Sequence, residues 1–208
     1  MTEQSTTGRV NQKQRTRKAI VEAAAELSRT GREVTMPEIA KAALVSEATA
    51  YRYFPDLASL LPEAFADQLP TPAEALKSVQ DSTDPVERIA AATEFLLRHV
   101  LTRRGVVRAM IAATITRPAD AAARPGLRFG LIEHALAPLT AKLGRADTVA
   151  LEQLLRDLAI VVSAEALFNL TDLYHLDPED AITSVVHTAT TLTEVFVREH
   201  PTAGRSRR

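Results

Sequence analysis

The segment from Thr35 to Pro55, TMPEIAKAALVSEATAYRYFP, constrains this chain more than any other. Thr35 and Glu38 have the N-cap to N3 spacing of a capping box, in which the hydroxyl accepts from the Glu38 amide and the carboxylate reaches back. Pro37 falls in the first turn, where its missing N–H is not needed. Ile39, Ala40 and Ala43 give one short helix an apolar face. Ser46 is placed to cap a second helix, with Glu47 against the positive end of its dipole. Ala50 and Phe54 fall four apart and point inward together. Glu47, Ala48, Thr49, Tyr51, Arg52 and Tyr53 are left to share the outer surface. Two phenols, a guanidinium and a hydroxyl can bond both phosphates and base edges. Two short helices joined in this way have the layout of a helix-turn-helix, whose second helix enters the DNA major groove. The alternative on composition alone is a helical hairpin whose tyrosines pack on a neighbour.

The segment resembles the DNA-binding domain of the tetracycline-repressor (TetR) family. The family pattern appears as Thr35, Ile39-Ala40, Ala43-Leu44-Val45-Ser46, Thr49, Tyr51, Tyr53 and Phe54. Two positions depart from it. Leu44 stands in the turn where the family usually has Gly; a leucine held at positive φ would be strained by about 1 kcal/mol, so the turn is expected to take a slightly different path. Leu57 stands where the family often has a Lys that touches a phosphate. The resemblance implies a DNA-binding transcriptional regulator. It puts Thr35, Ser46, Glu47, Ala48, Thr49, Tyr51, Arg52 and Tyr53 at the DNA.

Upstream, Val10 to Ala19 carries Lys13, Arg15, Arg17 and Lys18 and no acid. Cations at a helix N-terminus oppose its dipole, so these favour an external anion, and Lys13, Arg15 and Arg17 are read as contacts to the DNA backbone. A solvated arm is the alternative. Ile20, Ala23, Ala24 and Leu27 then form the stripe of an amphipathic helix that stops near Gly31. Residues 1–53 hold nine Lys and Arg against six Asp and Glu, although the whole chain has a net charge of −1. DNA binding would therefore belong to one face. There is no cysteine, hence no disulfide framework or thiolate metal site. No apolar segment approaches the roughly 20 residues of a membrane helix, so no membrane partner is expected. A cytoplasmic location is expected, since the N-terminal residues are polar and lack the apolar core of a signal peptide.

Beyond Pro55 the pattern is helical, punctuated by Pro and Gly. Helices are expected over 57–69, 73–80, from Asp84-Pro85 onward, over 106–116 after a separating Gly105, over 127–143, over 147–174, and from Asp177-Pro178 onward. No alternating strand pattern occurs, which makes the fold class all-α; the resemblance implies a three-helix helix-turn-helix domain followed by a helical ligand-binding and dimerisation domain. The boundaries read as 1–55, 56–203 and a basic tail at 204–208. Leu151, Leu155, Leu158 and Val162 on one late segment, and Val185, Ala189, Leu192 and Phe196 on the next, form wide apolar stripes. Helices apolar over so much of their circumference are commonly buried on two sides, and these residues are assigned to a homodimer interface. The alternative is a monomeric core pair. A dimer would read a palindromic operator in double-stranded DNA, one half-site per subunit.

The resemblance also implies a small-molecule effector in the C-terminal domain. The polar or adaptable residues on its apolar stripes are the candidates: His99, Met110, Thr114, His134, Glu165 and Asn169, with Phe95 and Phe129 as walls. Each of them alone is more often simply packed or solvated. Enzyme chemistry is not indicated. None of the five histidines pairs with another at i+3 or i+4, and there is no phosphate loop or nucleophile elbow, so neither a metal nor a cofactor is expected. The rival class is a helical carrier of apolar ligands, which would keep a pocket and a dimer but not need Tyr51, Arg52 and the basic arm.

Overall fold

The computed structural model describes residues 3–29, 32, 34–65, 70–116, 127–144 and 147–201. These residues form eleven α-helices and, among themselves, no strand. The helices are α1 (Glu3–Ser28), α2 (Met36–Ala42), α3 (Glu47–Tyr53), α4 (Leu57–Phe65), α5 (Pro72–Ala75), α6 (Pro85–Thr102), α7 (Arg104–Thr116), α8 (Leu127–Thr140), α9 (Thr148–Val161), α10 (Ala164–Phe168) and α11 (Pro178–Glu199). The chain divides into two compact units, residues 1–69 with 102–125 and residues 70–101 with 126–208. The division therefore leaves α4 with α1–α3, rather than separating them at residue 55, and returns α7 to the same unit.

In the N-terminal unit, Ile20 and Ala24 of α1, Ile39 and Ala40 of α2, Ala50 and Phe54 of α3 and its cap, and Leu60, Leu61, Ala64 and Phe65 of α4 close one core, joined by Val106 of α7. The arm expected before Ile20 is itself helical, since α1 starts at Glu3. No Gly or Pro interrupts residues 9–28, and Gln, Lys and Arg are good helix formers. Lys13 thus lies well inside a helix, and its position owes nothing to the dipole at the helix start. Gly105, expected as a separator, is instead a buried residue of the first turn of α7.

In the C-terminal unit, α9 packs on both α8 and α11. The long helix expected over 147–174 is broken. Val162 and Ser163 leave helical geometry, and the Ser163 hydroxyl accepts from the Ala166 amide at 3.1 Å to start α10. A π-turn at Asn169–Leu173 then leads to His175 at φ 58. Arg98 of α6 reaches α11 through two bonds to Glu179, at 2.8 and 2.9 Å.

Arg88 is the unusual core residue of this unit. It is 4% exposed, yet its guanidinium donates to four backbone carbonyls: Ala135 at 2.9 Å, His134 at 2.8 Å, Val79 at 2.9 Å and Ser82 at 3.4 Å. The reason lies in α8. Pro138 falls inside that helix and has no N–H, so the carbonyl four residues earlier, that of His134, loses its intrahelical donor. Arg88 supplies the missing hydrogen.

A candidate DNA-reading face on α3 and α1

The reading helix is built by local chemistry. Thr35 caps α2 in a complete capping box: its amide and hydroxyl donate to Glu38 Oε2 at 2.9 and 2.8 Å, and its Oγ1 accepts from the Glu38 amide at 3.4 Å. Those bonds hold the Glu38 carboxyl below the usual carboxylate range, with the Thr35 hydroxyl the larger influence. A depressed carboxyl stabilises the cap above the ordinary carboxylate pKa, and that contribution is lost as pH falls through the lowered value. Ser46 caps α3, accepting from the Thr49 amide at 3.2 Å while its hydroxyl sits 2.9 Å from the Thr49 hydroxyl. Ala50 and Phe54 are buried and set the rotation of α3.

The turn between α2 and α3 is a Schellman motif. The Leu44 amide bonds Lys41 O at 3.2 Å and the Val45 amide bonds Ala40 O at 3.0 Å, which makes Leu44 the residue that must be left-handed. It has φ 57 and is 92% exposed, so the turn keeps the left-handed path instead of the altered one expected for a leucine. Strain without packing leads to a direct test. Leu44→Gly is expected to raise the stability of the N-terminal unit by about 0.5–1 kcal/mol, the relieved strain less the entropy of a free glycine. The readout is a higher thermal midpoint; a lower one would mean that the side chain holds something the free chain needs.

With the core face fixed, Glu47, Ala48, Tyr51 and Arg52 are exposed, and Thr49 and Tyr53 half-buried. A groove of about 390 Å³ runs between α1 and α3, lined by Gln12, Lys13, Arg52 and Tyr53. Gln12 was not singled out in the sequence; only the turn of α1 that carries Lys13 brings it there. The cations do not all stay available. Lys18 pairs with Glu22 at 3.6 Å, and Arg17 is bound to Glu63 of α4. Among the described residues, Lys13, Arg15 and Arg52 have no ion pair. Thr35, read as a DNA contact, spends its hydroxyl on Glu38.

Helices α1–α4 with a capped, outward-facing α3 define a helix-turn-helix DNA-binding protein. The family described as "Bacterial regulatory proteins, tetR family" matches residues 20–64. Among solved structures, a TetR transcriptional regulator from Rhodococcus sp. RHA1 is similar, with 25% identity, a TM-score of 0.53, and coverage of 86% of this chain and 97% of that one. No curated protein matches. Residues 20–64 thus carry the DNA-binding domain of the TetR family of transcriptional regulators.

The residues assigned to other sites are divided between the two units. Phe95 and His99 lie half-buried on one face of α6 with ring centroids 6.1 Å apart. Met110 packs on the N-terminal core, and Thr114 donates to its carbonyl at 2.8 Å, so both belong to the N-terminal unit. His134 lends its carbonyl to Arg88, Glu165 faces Arg128 at 3.6 Å, and Asn169 is exposed. The side chain of Phe129 lies outside the described residues, as does the 204–208 tail. Of the eight residues read as a dimer interface, Leu158, Val162, Val185, Ala189 and Phe196 are buried within the single chain. That stripe is the seam between α9 and its neighbours, and periodicity alone cannot distinguish such a seam from a subunit contact. Leu151, Leu155 and Leu192 are half-buried. Among the described residues, no helix is long and apolar enough to cross a membrane.

Proposed function

We propose that this chain is a homodimeric regulator that reads a palindromic operator with α3, represses by occluding a promoter, and is released by a small apolar effector. The observation that carries the DNA reading is the α1–α3 groove lined by Lys13, Arg52 and Tyr53, with Tyr51 exposed on the same helix and Lys13 without an ion pair among the described residues. Lys13, Arg15 and Arg52 would meet phosphates. Tyr51, Thr49, Ala48, Glu47 and Ser46 would face base edges, Tyr53 would line the groove, and Thr35 would hold α2 in place. Selection of bound sequences from a random DNA pool tests this directly. A two-fold symmetric consensus is expected, bound with an affinity that falls steeply with salt. Recovery of no consensus would refute it.

The dimer reading rests on the outer face of α11. Thr183, His187, Thr188 and Thr191 are exposed, and the stretch carries no charge between Asp180 and Glu194. The threonine hydroxyls turn back onto their own helix, Thr183 to Glu179 O at 2.9 Å, Thr188 to Ser184 O at 2.9 Å and Thr191 to His187 O at 2.8 Å. Each hydroxyl gives its one hydrogen to its own helix, which leaves it no donor for a partner or for water. Val149 and Ile160 of α9 are also exposed apolar residues. A Thr191→Glu variant places like charges against one another in a two-fold interface and is expected to weaken dimerisation at least about tenfold. Sedimentation velocity checks it; an unchanged dimer would move the interface elsewhere.

The effector is placed in the C-terminal unit, beside the Phe95–His99 pair. It would act by binding the DNA-incompetent state more tightly than the competent one. Thermal-shift screening of apolar compounds, followed by operator release, tests that part separately.

A further inference from the structure

Arg17 sits in the basic stretch of α1 and reads, from the sequence, as one more phosphate contact. Its surroundings assign it a different task. Nε donates to Glu63 Oε1 at 3.0 Å, and Nη2 is paired with Glu63 Oε2, so the planar fork meets the carboxylate at both oxygens. The same guanidinium lies over the ring of Phe54, 4.3 Å from its centroid. Phe54 is the cap residue that ends α3; it is 1% exposed, and its amide bonds Ala50 O at 2.9 Å. One side chain of α1 therefore grips the carboxyl of α4 and covers the aromatic ring that closes the reading helix.

We propose that Arg17 is a positioning residue: held by Glu63 and laid on Phe54, it locks the end of α3 between α1 and α4 and spends its charge inside the protein rather than on DNA. An exposed ion pair by itself contributes little. Here the fork geometry and the ring contact together allow one pose, which reduces the conformational freedom α3 would lose on entering the groove. Lysine cannot replace it, because an ammonium is a point charge that cannot meet both carboxylate oxygens while lying over the ring. The contrast with Lys13 sharpens the assignment, since Lys13 has the same charge and no ion pair among the described residues. This inference rests on α3 being the reading helix.

The test uses the full-length chain, the selected operator duplex and a random duplex, titrated across salt. Arg17→Lys, Arg17→Gln and Glu63→Gln are each expected to weaken operator binding about fivefold relative to the random duplex. The slope of log affinity against log salt should stay at the wild-type value in all three. Lys13→Gln should lower that slope by about 0.9 for each copy of the site. Glu63→Gln is decisive by its sign. A phosphate-binding Arg17 would be freed by it and bind DNA more tightly, whereas a positioning Arg17 loses its hold and binds operator more weakly. Tighter operator binding by Glu63→Gln, wild-type affinity in Arg17→Lys, or a slope loss in Arg17→Gln equal to that of Lys13→Gln would overturn the proposal. Arg17→Lys and Glu63→Gln nearly preserve side-chain size and carry the test even if Arg17→Gln does not fold. Wild-type protein that binds every duplex without salt dependence would remove the DNA reading itself, and this inference with it.

Discussion

Replacing Arg88 by Met is expected to destabilise the C-terminal unit by about 3–5 kcal/mol, a large part of the stability of an ordinary domain. Methionine fills much of the volume but donates no hydrogen bond. Four carbonyls lose a donor, and that of His134 cannot recover one from its own helix because Pro138 has no N–H. Arg88→Lys keeps the charge and reaches at most part of the set, since a single ammonium cannot span carbonyls served by Nε, Nη1 and Nη2 together. Its loss should fall between those of wild type and Met. Pro138→Ala supplies the control. In the wild-type background it should be nearly neutral, because the carbonyl is already served. In the Arg88→Met background it returns an N–H to that carbonyl and should recover about 1 kcal/mol. Urea unfolding of the four proteins measures the coupling. A cycle with no coupling would mean that Arg88 holds the loop carbonyls of Val79 and Ser82 and has no part in repairing α8.

These two cases mark what could and could not be seen in the residues alone. The α2–α3 unit was legible because its determinants are local: Thr35 with Glu38, Ser46 with Thr49, Ala50 with Phe54, and Leu44 at the turn all lie within a few positions of their partners. Arg17 and Glu63 are 46 residues apart, and Arg88 and Ala135 are 47 apart. No period or cap signals such pairs. A basic stretch looks uniform until the fold decides which cation finds a distant carboxylate, as Arg17 does in Glu63. Arg88 escaped notice because a lone arginine on a helix is ordinarily solvated. A wide apolar stripe reports burial without saying what covers it, and Leu158, Val185 and Phe196 are covered by the chain itself. The outer face of α11 carries Thr183, Thr188 and Thr191, which give no hydrophobic signal in a sequence.

The Tyr51→Ala, Arg52→Ala double variant is expected to lose operator affinity roughly 500- to 1,000-fold while folding as wild type. Its fold should survive because neither side chain is in the core. Ala50 and Phe54 carry the packing of α3, Arg52 is exposed and Tyr51 is 45% exposed. Alanine is also the better helix former at both positions, so the thermal midpoint should move little. The affinity loss follows from position and symmetry. Each side chain is available for a contact of at least about 1 kcal/mol, and a dimer on a palindrome makes each contact twice, for about 4 kcal/mol in all. Salt separates the two residues. Arg52→Ala alone should reduce the slope of log affinity against log salt by close to 2 for the dimer if both copies meet phosphates, and leave it unchanged if they meet guanines. Tyr51→Ala alone should lower affinity at every salt concentration without changing the slope, because a phenol releases no counterion. Fluorescence anisotropy on a labelled operator reads all of these. A double variant that binds as tightly as wild type would take the reading role away from α3.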